Sequence, residues 1–542
     1  MEMKDLALPS LNRFASDYLE GNLTLEDYFH YSVSSKGSFS RRYNELMNRS
    51  FCRMELATYI QQYMARFPLS DKAARNIEDL KNETSVVVVG GQQAGLLSGP
   101  LYTIHKVISI IKLAAEQEKE INARVIPLFW IAGEDHDLAE VNHVYTLKNQ
   151  KPEKKTYPLY HPFKSAVTDV ELDLDTAYAW MEEIVETYGE TDFTNKLLAD
   201  MKGILQQSNT FADFFAALIH EWFSEYGLLM IDAGDPSLRK IESEYFGQII
   251  TNTRNITEAV LSQQSFMQEQ GYNRAIEMDA SAANLFYYDR DKKERTLLEF
   301  DGDTFYGKNG EVSFSYGELL SIAENEPEKL SNNVVTRPLM QEMLLPVLAF
   351  ISGPGEIAYW AELKRVFDLF SMKMPLIMPR LNITILERGI WTDMKDTGLD
   401  LETVLTEGAE ASMAAFLESV KDDEAWLQYK LTKKQLAENH HLLSEKAIEI
   451  DRGLAPLLEK NRLYLERQLD FIYGKIVDST RRNHSVSVNK YQRITNSLFP
   501  LGSPQERIWN IFYYLNKYGP DFIKEIMELP YEFNNQHKVI FI

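Results

Sequence analysis

The sequence reads SVVVVGGQQAGLLSGP from Ser85 to Pro100, where four consecutive valines are followed by a segment with four glycines. A continuous apolar run, unlike an alternating one, is typical of a strand buried on both faces. Glycine allows close backbone approach and positive φ angles, and Pro100 suits the first position of a helix. The stretch therefore predicts a buried strand, a glycine turn and a helix.

Other apolar runs repeat this pattern along the chain. They cover Val125–Ala132, Leu228–Ala233, Leu345–Ile351 and Pro375–Met378. Strand, glycine turn and helix in repetition indicate a parallel sheet of βαβ units, and ligands bind such sheets beyond the carboxyl ends of the strands. We expect an α/β fold with a Rossmann-like parallel sheet, and a site near the turns at Gly90, Gly133, Gly234 and Gly353.

The intervals between these runs are uneven, which predicts insertions in the sheet. We expect a catalytic core over residues 1–380, with insertions at about 142–225 and 257–335. Apolar residues at four-three spacing between Glu424 and Asn489 indicate an antiparallel coiled coil, with ordinary two-helix packing as the alternative. This gives a helical domain over 381–495 and a C-terminal segment, 496–542, that packs back on the core.

Composition limits the classes of function. The 542 residues include 57 basic and 80 acidic ones, a net charge of −23. Such a charge opposes binding to nucleic acids and anionic membranes, and no segment has the ~18 apolar residues of a membrane span. Cys52 is the single cysteine, which excludes an intramolecular disulfide and a zinc site of several cysteines. We expect a cytoplasmic protein without nucleic-acid or membrane partners.

The first glycine segment is a candidate site for an anion or a nucleotide. The helix after Pro100 would present free N–H groups and a partial positive charge. A structural turn is the alternative, because the segment is neither GxGxxG nor a Walker loop, and His105 could equally be an ordinary helix residue. The candidate binding residues are Gly91, Gln92, Gln93, Gly95, Ser98, Gly99 and His105.

The second turn carries three carboxylates and an imidazole in succession. Crowding them is costly unless a ligand such as an amine, a sugar hydroxyl or a divalent cation binds, although a solvated acidic turn is the alternative. A metal site is not expected, because His143 is the one other histidine nearby and no HExxH spacing occurs. The catalytic candidates are Glu134, Asp135, His136 and Asp137.

The fourth turn has the same design as the first, whereas the third could simply begin a helix with Asp235 as its N-cap. Arg337 before the fourth run and Arg380 after the fifth are candidate clamps for a carboxylate or phosphate. Stabilisation of a helix dipole by Glu356 and a surface ion pair of Arg337 are the structural alternatives. The candidate binding residues are Arg337, Gly353, Gly355, Glu356, Tyr359 and Arg380.

A late loop, Gly502–Arg507, is a candidate second nucleotide pocket that would hold ADP. A capping turn before the final helices is the alternative. The residues concerned are Tyr491, Gly502, Ser503 and Gln505.

Several of these motifs together resemble the family of bacillithiol biosynthesis cysteine-adding enzymes, and the resemblance covers essentially the whole chain. It implies a core similar to class I nucleotidyltransferases and aminoacyl-tRNA synthetases, with two connecting-peptide insertions and a coiled coil that forms a homodimer. The matching segments are Gly90–Leu96, Phe129–Asp137, Arg337–Pro338, Gly353–Trp360 and Phe499–Arg507.

The activity that the resemblance implies is that of a cysteine ligase in the last step of bacillithiol biosynthesis. The carboxyl group of cysteine would be joined to the amine of glucosaminyl-malate. Because a carboxylate is a poor acyl donor, we expect ATP to activate it by phosphoryl or adenylyl transfer, and we expect no zinc. Asp135 or Glu134 would orient the amine, and His136 or Asp137 would accept its proton.

Two other functions stay open at this point. One is a nucleotidyltransferase-like enzyme acting on another sugar or amino acid. The other is a non-catalytic, nucleotide-binding scaffold that dimerises through its coiled coil.

Overall fold

The computed structural model of the chain describes residues 1–10, 12–159, 164–308 and 310–542. Two compact units are present. The first comprises Met1–Ile385 and Gln505–Phe541, and the second comprises Leu386–Pro504 with Ile542. Among the described residues, no helix is both long enough and apolar enough to cross a membrane.

The first unit begins with a strand, four helices and the start of the main sheet. The elements are β1 (Glu2–Leu6), α1 (Arg13–Glu20), α2 (Ser38–Leu46), α3 (Arg53–Met64), α4 (Asp71–Leu80), β2 (Val86–Gln92), α5 (Leu101–Ile121) and β3 (Val125–Ile131). A hairpin and helices follow before the sheet resumes. These are α6 (Leu138–Val141), β4 (His143–Lys148), β5 (Lys151–Thr156), α7 (Leu174–Thr187), α8 (Thr194–Leu205), α9 (Phe211–Phe223), β6 (Leu229–Asp232), α10 (Pro236–Thr251) and α11 (Thr253–Glu269).

A second insertion contains most of the remaining antiparallel strands. It consists of β7 (Ala282–Asp289), β8 (Glu294–Phe300), β9 (Thr304–Gly307), β10 (Ser313–Ser315), α12 (Tyr316–Asn325) and β11 (Leu330–Asn332). The chain then returns to the main sheet. The elements there are α13 (Thr336–Leu344), β12 (Val347–Ser352), α14 (Pro354–Glu362), α15 (Lys364–Leu369), β13 (Leu376–Pro379) and β14 (Ile383–Leu386).

Helices make up the second unit, and the last elements belong to the first unit again. The helices of the second unit are α16 (Arg388–Thr397), α17 (Leu401–Glu407), α18 (Glu410–Ser419), α19 (Asp423–Ile450), α20 (Ala455–Asn483) and α21 (Ser485–Leu498). The last elements are α22 (Gln505–Ile508), α23 (Ile511–Tyr518), α24 (Phe522–Met527) and β15 (His537–Phe541).

The main sheet has five strands in the order β13-β12-β2-β3-β6, and every neighbouring pair is parallel. These strands correspond to the five apolar runs in the sequence, so the predicted Rossmann-like parallel sheet is confirmed. Because the strands are parallel, the segments that follow them meet at one edge. The second insertion forms an antiparallel sheet in the order β10-β9-β8-β7-β11, and β1, β15 and β14 form a third sheet.

The first two glycines of the glycine segment lie in β2 and not in a turn. Gly90 pairs with Phe129 and Gly91 with Trp130 of β3. A Cβ atom on Gly90 would lie 3.0 Å from Cδ1 of Ile110, and one on Gly91 would lie 3.0 Å from the carbonyl oxygen of Trp130. The glycines therefore allow helix α5 and the neighbouring strand to approach β2 closely, and the turn begins after Gln92.

Helices α19 and α20 of the second unit run antiparallel, as predicted. The rings of Tyr429 and Tyr473 stack with centroids 4.4 Å apart. Lys433 Nζ lies 2.5 Å from Asp470 Oδ1. A residue further along α19 thus meets a residue earlier in α20, so the two helices pair in antiparallel orientation.

The turn after β3 fits tightly against Asp232, the last residue of β6. Thr168, from the first insertion, donates its hydroxyl hydrogen bond to both carboxylate oxygens of Asp232, at 3.0 and 2.9 Å. A Cβ atom on Gly133 would lie only 2.1 Å from Asp232 Oδ1 and 2.1 Å from Thr168 Oγ1. Gly133 is therefore required by packing.

We expect Gly133→Ala to lower the melting temperature, because overpacking of this kind costs about 1–3 kcal/mol. Gly247→Ala is the control, since a Cβ atom there meets nothing within 4 Å in helix α10 and alanine is the better helix former. Calorimetric melting of the two variants is the measurement. Equal melting temperatures would contradict the packing argument.

Candidate functional site

A cavity of about 840 Å³ lies at the carboxyl ends of β2, β3, β12 and β13, with part of its wall supplied by β7, β8 and β11 of the second insertion. Many residues that the sequence singled out line it. They are Gly91, Gln92, Gln93, Glu134, Asp135, His136, Arg337, Gly353, Gly355, Glu356, Tyr359 and Arg380.

Asp135 is held as an ionised carboxylate at the wall of this cavity. Gln93 Nε2 donates to Asp135 Oδ2 at 2.8 Å and to Glu140 Oε2 at 2.5 Å. Burial alone would raise the pKa of Asp135, but the hydrogen bond from Gln93 and the positive charge of Arg295 lower it below its ordinary value. Asp135 is thus an acceptor at neutral pH, suited to an amine or a hydroxyl.

Glu134 serves a different purpose from its neighbour. Its carboxylate is buried and paired with the buried guanidinium of Arg239 on α10. The same oxygen, Oε2, accepts the backbone N–H of Asn332 at 3.3 Å. Glu134 therefore joins the core helix to the second insertion. Within the described ranges, no group of three or more His, Cys, Asp and Glu side chains is arranged to hold a metal ion.

Arg295 of β8 determines which nitrogen of His136 carries a proton. Its Nη1 lies 3.1 Å from His136 Nδ1. Because a guanidinium only donates, Nδ1 must accept, and in the neutral ring the proton is on Nε2. Burial and then the charge of Arg295 lower the pKa of His136. Phe286 supports both groups, with its ring centroid 3.8 Å from Arg295 Cζ and 5.6 Å from the imidazole centroid.

Other cations of the cavity wall lie on helices α13 and α5, away from the turn after β3. Arg337 Nη2 donates to the Tyr359 hydroxyl at 2.6 Å, and in the part of the chain that the structure describes no carboxylate lies within ion-pair distance of Arg337. Lys106 Nζ donates to Glu356 Oε2 at 2.6 Å and to the Gly91 carbonyl at 2.7 Å. Burial lowers the pKa of Lys106, with Glu356 opposing this effect. Glu356 also accepts the N–H of Gly353 at 2.7 Å, which caps helix α14.

Arg380 lines the cavity but is already paired. It donates to both oxygens of the buried Glu506, at 2.7 and 2.6 Å. His105 Nδ1 lies 2.9 Å from the same carboxylate. Burial acts to raise the pKa of Glu506, yet Arg380 and His105 hold it well below its ordinary value. His105 is therefore buried behind Arg380 and does not line the cavity.

Other residues predicted for the site lie outside the cavity wall. Asp137 is exposed and caps the short helix α6 by accepting the N–H of Ala139 at 3.2 Å. Gly95 packs on Gly99, where an added Cβ atom would be 2.9 Å from the Gly99 Cα atom. Ser98 is buried, and Asn510 donates to the carbonyls on either side of it, those of Leu97 and Gly99, at 2.7 Å each. The first N–H of α5, on Leu101, donates to Trp509 and not to the cavity.

The residues proposed for a second nucleotide pocket are divided between the two units. Tyr491, Gly502 and Ser503 belong to the second unit and Gln505 to the first. Tyr491 packs against Phe416, with ring centroids 5.6 Å apart. The Gln505 amide accepts from and donates to the backbone of Ile385, at 2.8 and 2.9 Å. The second pocket stays a prediction.

Sequence reasoning did not select several residues of the cavity wall. Arg295 lies two residues before Leu297 in β8, and the two residues line the cavity together. Side chains two residues apart in a strand point to the same face, and this alternation was the one signal in the sequence that could have placed Arg295 in the wall. The other unselected wall residues are Tyr102, Lys106, Trp130, Ala132, Glu140, Phe286, Asn332, Asn333, Val334, Pro354 and Arg507.

Comparison with known families accounts for both units. The description "Bacillithiol biosynthesis BshC, N-terminal Rossmann-like domain" matches residues 1–381, and "Bacillithiol biosynthesis BshC, C-terminal coiled-coil domain" matches residues 383–542. The chain belongs to this BshC family. The resemblance seen in the glycine and acidic motifs is confirmed.

Relatives in the BshC family match over their full length. Proteins named "Putative cysteine ligase BshC" from Geobacillus sp. (strain WCH70), Geobacillus thermodenitrificans and Bacillus licheniformis are 46%, 45% and 42% identical to the chain. Each alignment covers 100% of both sequences. Every residue that lines the cavity lies in the range matched by the Rossmann-like domain, except Arg507, which lies in the range matched by the C-terminal domain.

We expect Arg295→Met to raise the pKa of His136, because the variant removes the positive charge. The preference of the neutral ring for the Nε2–H tautomer should also be lost, because the donor to Nδ1 is removed. Arg295→Lys keeps the charge and is expected to keep the pKa low. Long-range ¹⁵N correlation NMR over a pH series, with His136→Gln to assign the signal, is the measurement. A wild-type Nδ1–H tautomer, or one titration curve for all three proteins, would refute the assignment.

Proposed function

We propose that the chain is an ATP-dependent, amide-forming ligase that joins the carboxyl group of cysteine to the amine of glucosaminyl-malate, the last step of bacillithiol biosynthesis. The observation that carries this proposal is the division of one cavity into a cationic side and a side with a carboxylate and an imidazole. Membership of the BshC family and the names of the relatives support it. We expect the reaction to take place in the cytoplasm.

The cationic side suits the anionic groups of such a reaction. The wall carries five cations against four carboxylates, in a chain whose net charge is −23. Arg337 and the exposed Arg507 have no carboxylate partner among the described residues. Their charges are therefore available to bind a phosphate or a carboxylate of a ligand. The cations are Lys106, Arg295, Arg337, Arg380 and Arg507, and the carboxylates are Glu134, Asp135, Glu140 and Glu356.

ATP, when bound, would supply the activation that makes the cysteine carboxylate an acyl donor. Arg337 and Arg507 are the residues that we expect to hold its phosphates and to offset the charge that develops during activation. Arg380 contributes less, because Glu506 neutralises it. Side chains, and not the first N–H of α5, would then form the anion site.

The other side of the cavity suits the attacking amine. Asp135 is ionised and would orient the amine and accept the proton that leaves its nitrogen. His136 would donate from Nε2 to an oxygen of the substrate, since its Nδ1 is occupied by Arg295. Glu134 is a positioning residue that acts through Arg239 and Asn332. These roles refine the expectation from sequence, in which His136 or Asp137 accepted the proton.

We expect Asp135→Asn to reduce ligation by about 100-fold or more, because loss of a positioned acid–base group typically costs that much. Purified protein would be incubated with cysteine, glucosaminyl-malate and ATP, and the thiol product and the spent nucleotide would both be measured. Asp235→Asn, at the third turn, is the matched control, since asparagine still caps helix α10 and the residue is outside the cavity.

Three outcomes of this assay would count against the proposal. They are absence of thiol product with wild-type protein, product formation without ATP, and equal rates for the wild type and Asp135→Asn. Turnover with a different sugar or amino acid would favour the nucleotidyltransferase-like alternative. Nucleotide binding without turnover would favour the scaffold.

We also propose that the chain is a homodimer formed through its coiled coil. Large apolar side chains are exposed on both helices, including Leu443 at 63%, Phe471 at 57% and Ile472 at 57%. Exposed apolar surface of this kind marks association sites.

Light scattering coupled to size exclusion is expected to give twice the chain mass for the wild type and the monomer mass for the double variant Phe471→Glu, Ile472→Glu. Leu174→Glu, an exposed leucine of helix α7, is the control and should leave the mass unchanged. A monomeric wild type would disprove the dimer.

A further inference from the structure

Asn332 is a buried amide in the cavity wall without a hydrogen-bond partner. Its side chain is 2% exposed. Both Oδ1 and Nδ2 are buried, and neither has a hydrogen-bond partner among the described residues. Leaving buried polar groups unpaired destabilises the folded state, so native proteins seldom do so without a reason.

The backbone of Asn332 holds this amide in place. Its N–H donates to Glu134 Oε2 at 3.3 Å, and its carbonyl accepts from Arg295 Nη2 at 2.6 Å. Glu134 precedes Asp135 in the chain, and Arg295 also contacts His136. Asn332 is therefore held in the cavity wall beside Glu134 and Arg295, on the side that carries Asp135 and His136.

The next residue shows what a structural asparagine looks like at this position in the fold. Asn333 Oδ1 accepts the N–H groups of Val335 and Thr336, at 2.8 and 3.1 Å. Its Nδ2 donates to Asn284 Oδ1 at 3.0 Å. Asn333 thus caps the start of helix α13 with its amide oxygen and binds β7 with its amide nitrogen, whereas the side chain of Asn332 makes neither kind of contact.

We propose that Asn332 forms a subsite for a sugar hydroxyl of the amine-bearing substrate. An amide offers an acceptor and donors side by side, and a hydroxyl is the group that both donates and accepts. A carboxylate only accepts and an ammonium only donates, so neither satisfies both ends of the amide. With Asp135 taking the amine, Asn332 would pair with a ring hydroxyl of the same amino sugar. This inference rests on the proposed function and specifies how its second substrate is recognised.

The test compares Asn332→Leu with Asn333→Leu in the full-length protein. Calorimetric titration with glucosaminyl-malate, and separately with ATP, gives the Kd of each ligand. We expect Asn332→Leu to weaken glucosaminyl-malate binding by about tenfold, the equivalent of one or two lost hydrogen bonds, and to leave ATP binding unchanged. Asn332→Ala, which leaves space, should weaken glucosaminyl-malate binding in the same way.

Thermal melting of the same proteins distinguishes recognition from folding. Asn332→Leu should melt at or above the wild-type temperature, because it removes two unpaired buried groups. Asn333→Leu should melt lower, because it removes the cap of α13. A fall in melting temperature for Asn332→Leu as large as that for Asn333→Leu would assign the amide to the fold and overturn the subsite.

The binding results separate the subsite from the proposed function. Wild-type product formation together with an unchanged Kd for glucosaminyl-malate in Asn332→Leu overturns the subsite alone. Weakened ATP binding with unchanged glucosaminyl-malate binding assigns the hydroxyl to the ribose and also overturns it. A wild-type protein that neither binds glucosaminyl-malate nor forms product overturns both.

Discussion

The buried ion pair between Arg239 and Glu134 is the contact on which the candidate site depends. It joins helix α10 of the core to the turn after β3, and Glu134 extends the connection to β11 of the second insertion. Arg239 also pairs with the buried Glu242 on its own helix. Removing one partner of a buried pair leaves an uncompensated charge and costs about 3–5 kcal/mol. The pair therefore holds the insertion against the sheet edge at the point where Asp135 and His136 lie.

The site is built from two kinds of structure with different tasks. The parallel sheet supplies the rigid edge, and its glycines allow α5 and β3 to pack closely against β2. The second insertion supplies Phe286, Arg295 and Asn332, which fix the tautomer of His136 and add an unpaired amide. The candidate site thus combines side chains of the sheet edge with side chains of the second insertion.

The sheet could be predicted from sequence because each strand is a continuous apolar run, and that pattern has one common explanation. Asp135, His136 and Arg337 could be predicted because they follow or flank those runs. Asp137, Ser98 and His105 follow the same rule, yet none of them lines the cavity. Asp137 caps a helix, Ser98 is buried between two carbonyls that Asn510 binds, and His105 lies behind Arg380. Sequence spacing does not tell on which side of a turn a residue ends up.

Arg295 and Asn332 could not be predicted for a related reason. Their contribution depends on the packing of an antiparallel sheet against the core. This packing brings together residues far apart in the sequence, such as Arg295 and His136, which are 159 positions apart. An arginine beside a hairpin turn and an asparagine before a helix both have ordinary local explanations. The unpaired amide of Asn332 becomes visible only when its neighbours are known in three dimensions.

The tether from Asn510 to the carbonyls of Leu97 and Gly99 has a consequence for biosynthesis of the chain. Glu506 and Arg507 come from the same late segment, so the cavity combines residues more than four hundred positions apart in order of synthesis. The ribosome must release the late segment before the turn after β2 is anchored and Arg380 is neutralised. Nascent chains that have folded only the parallel sheet therefore carry an incomplete cavity, and the cavity is completed only after the coiled coil has been translated.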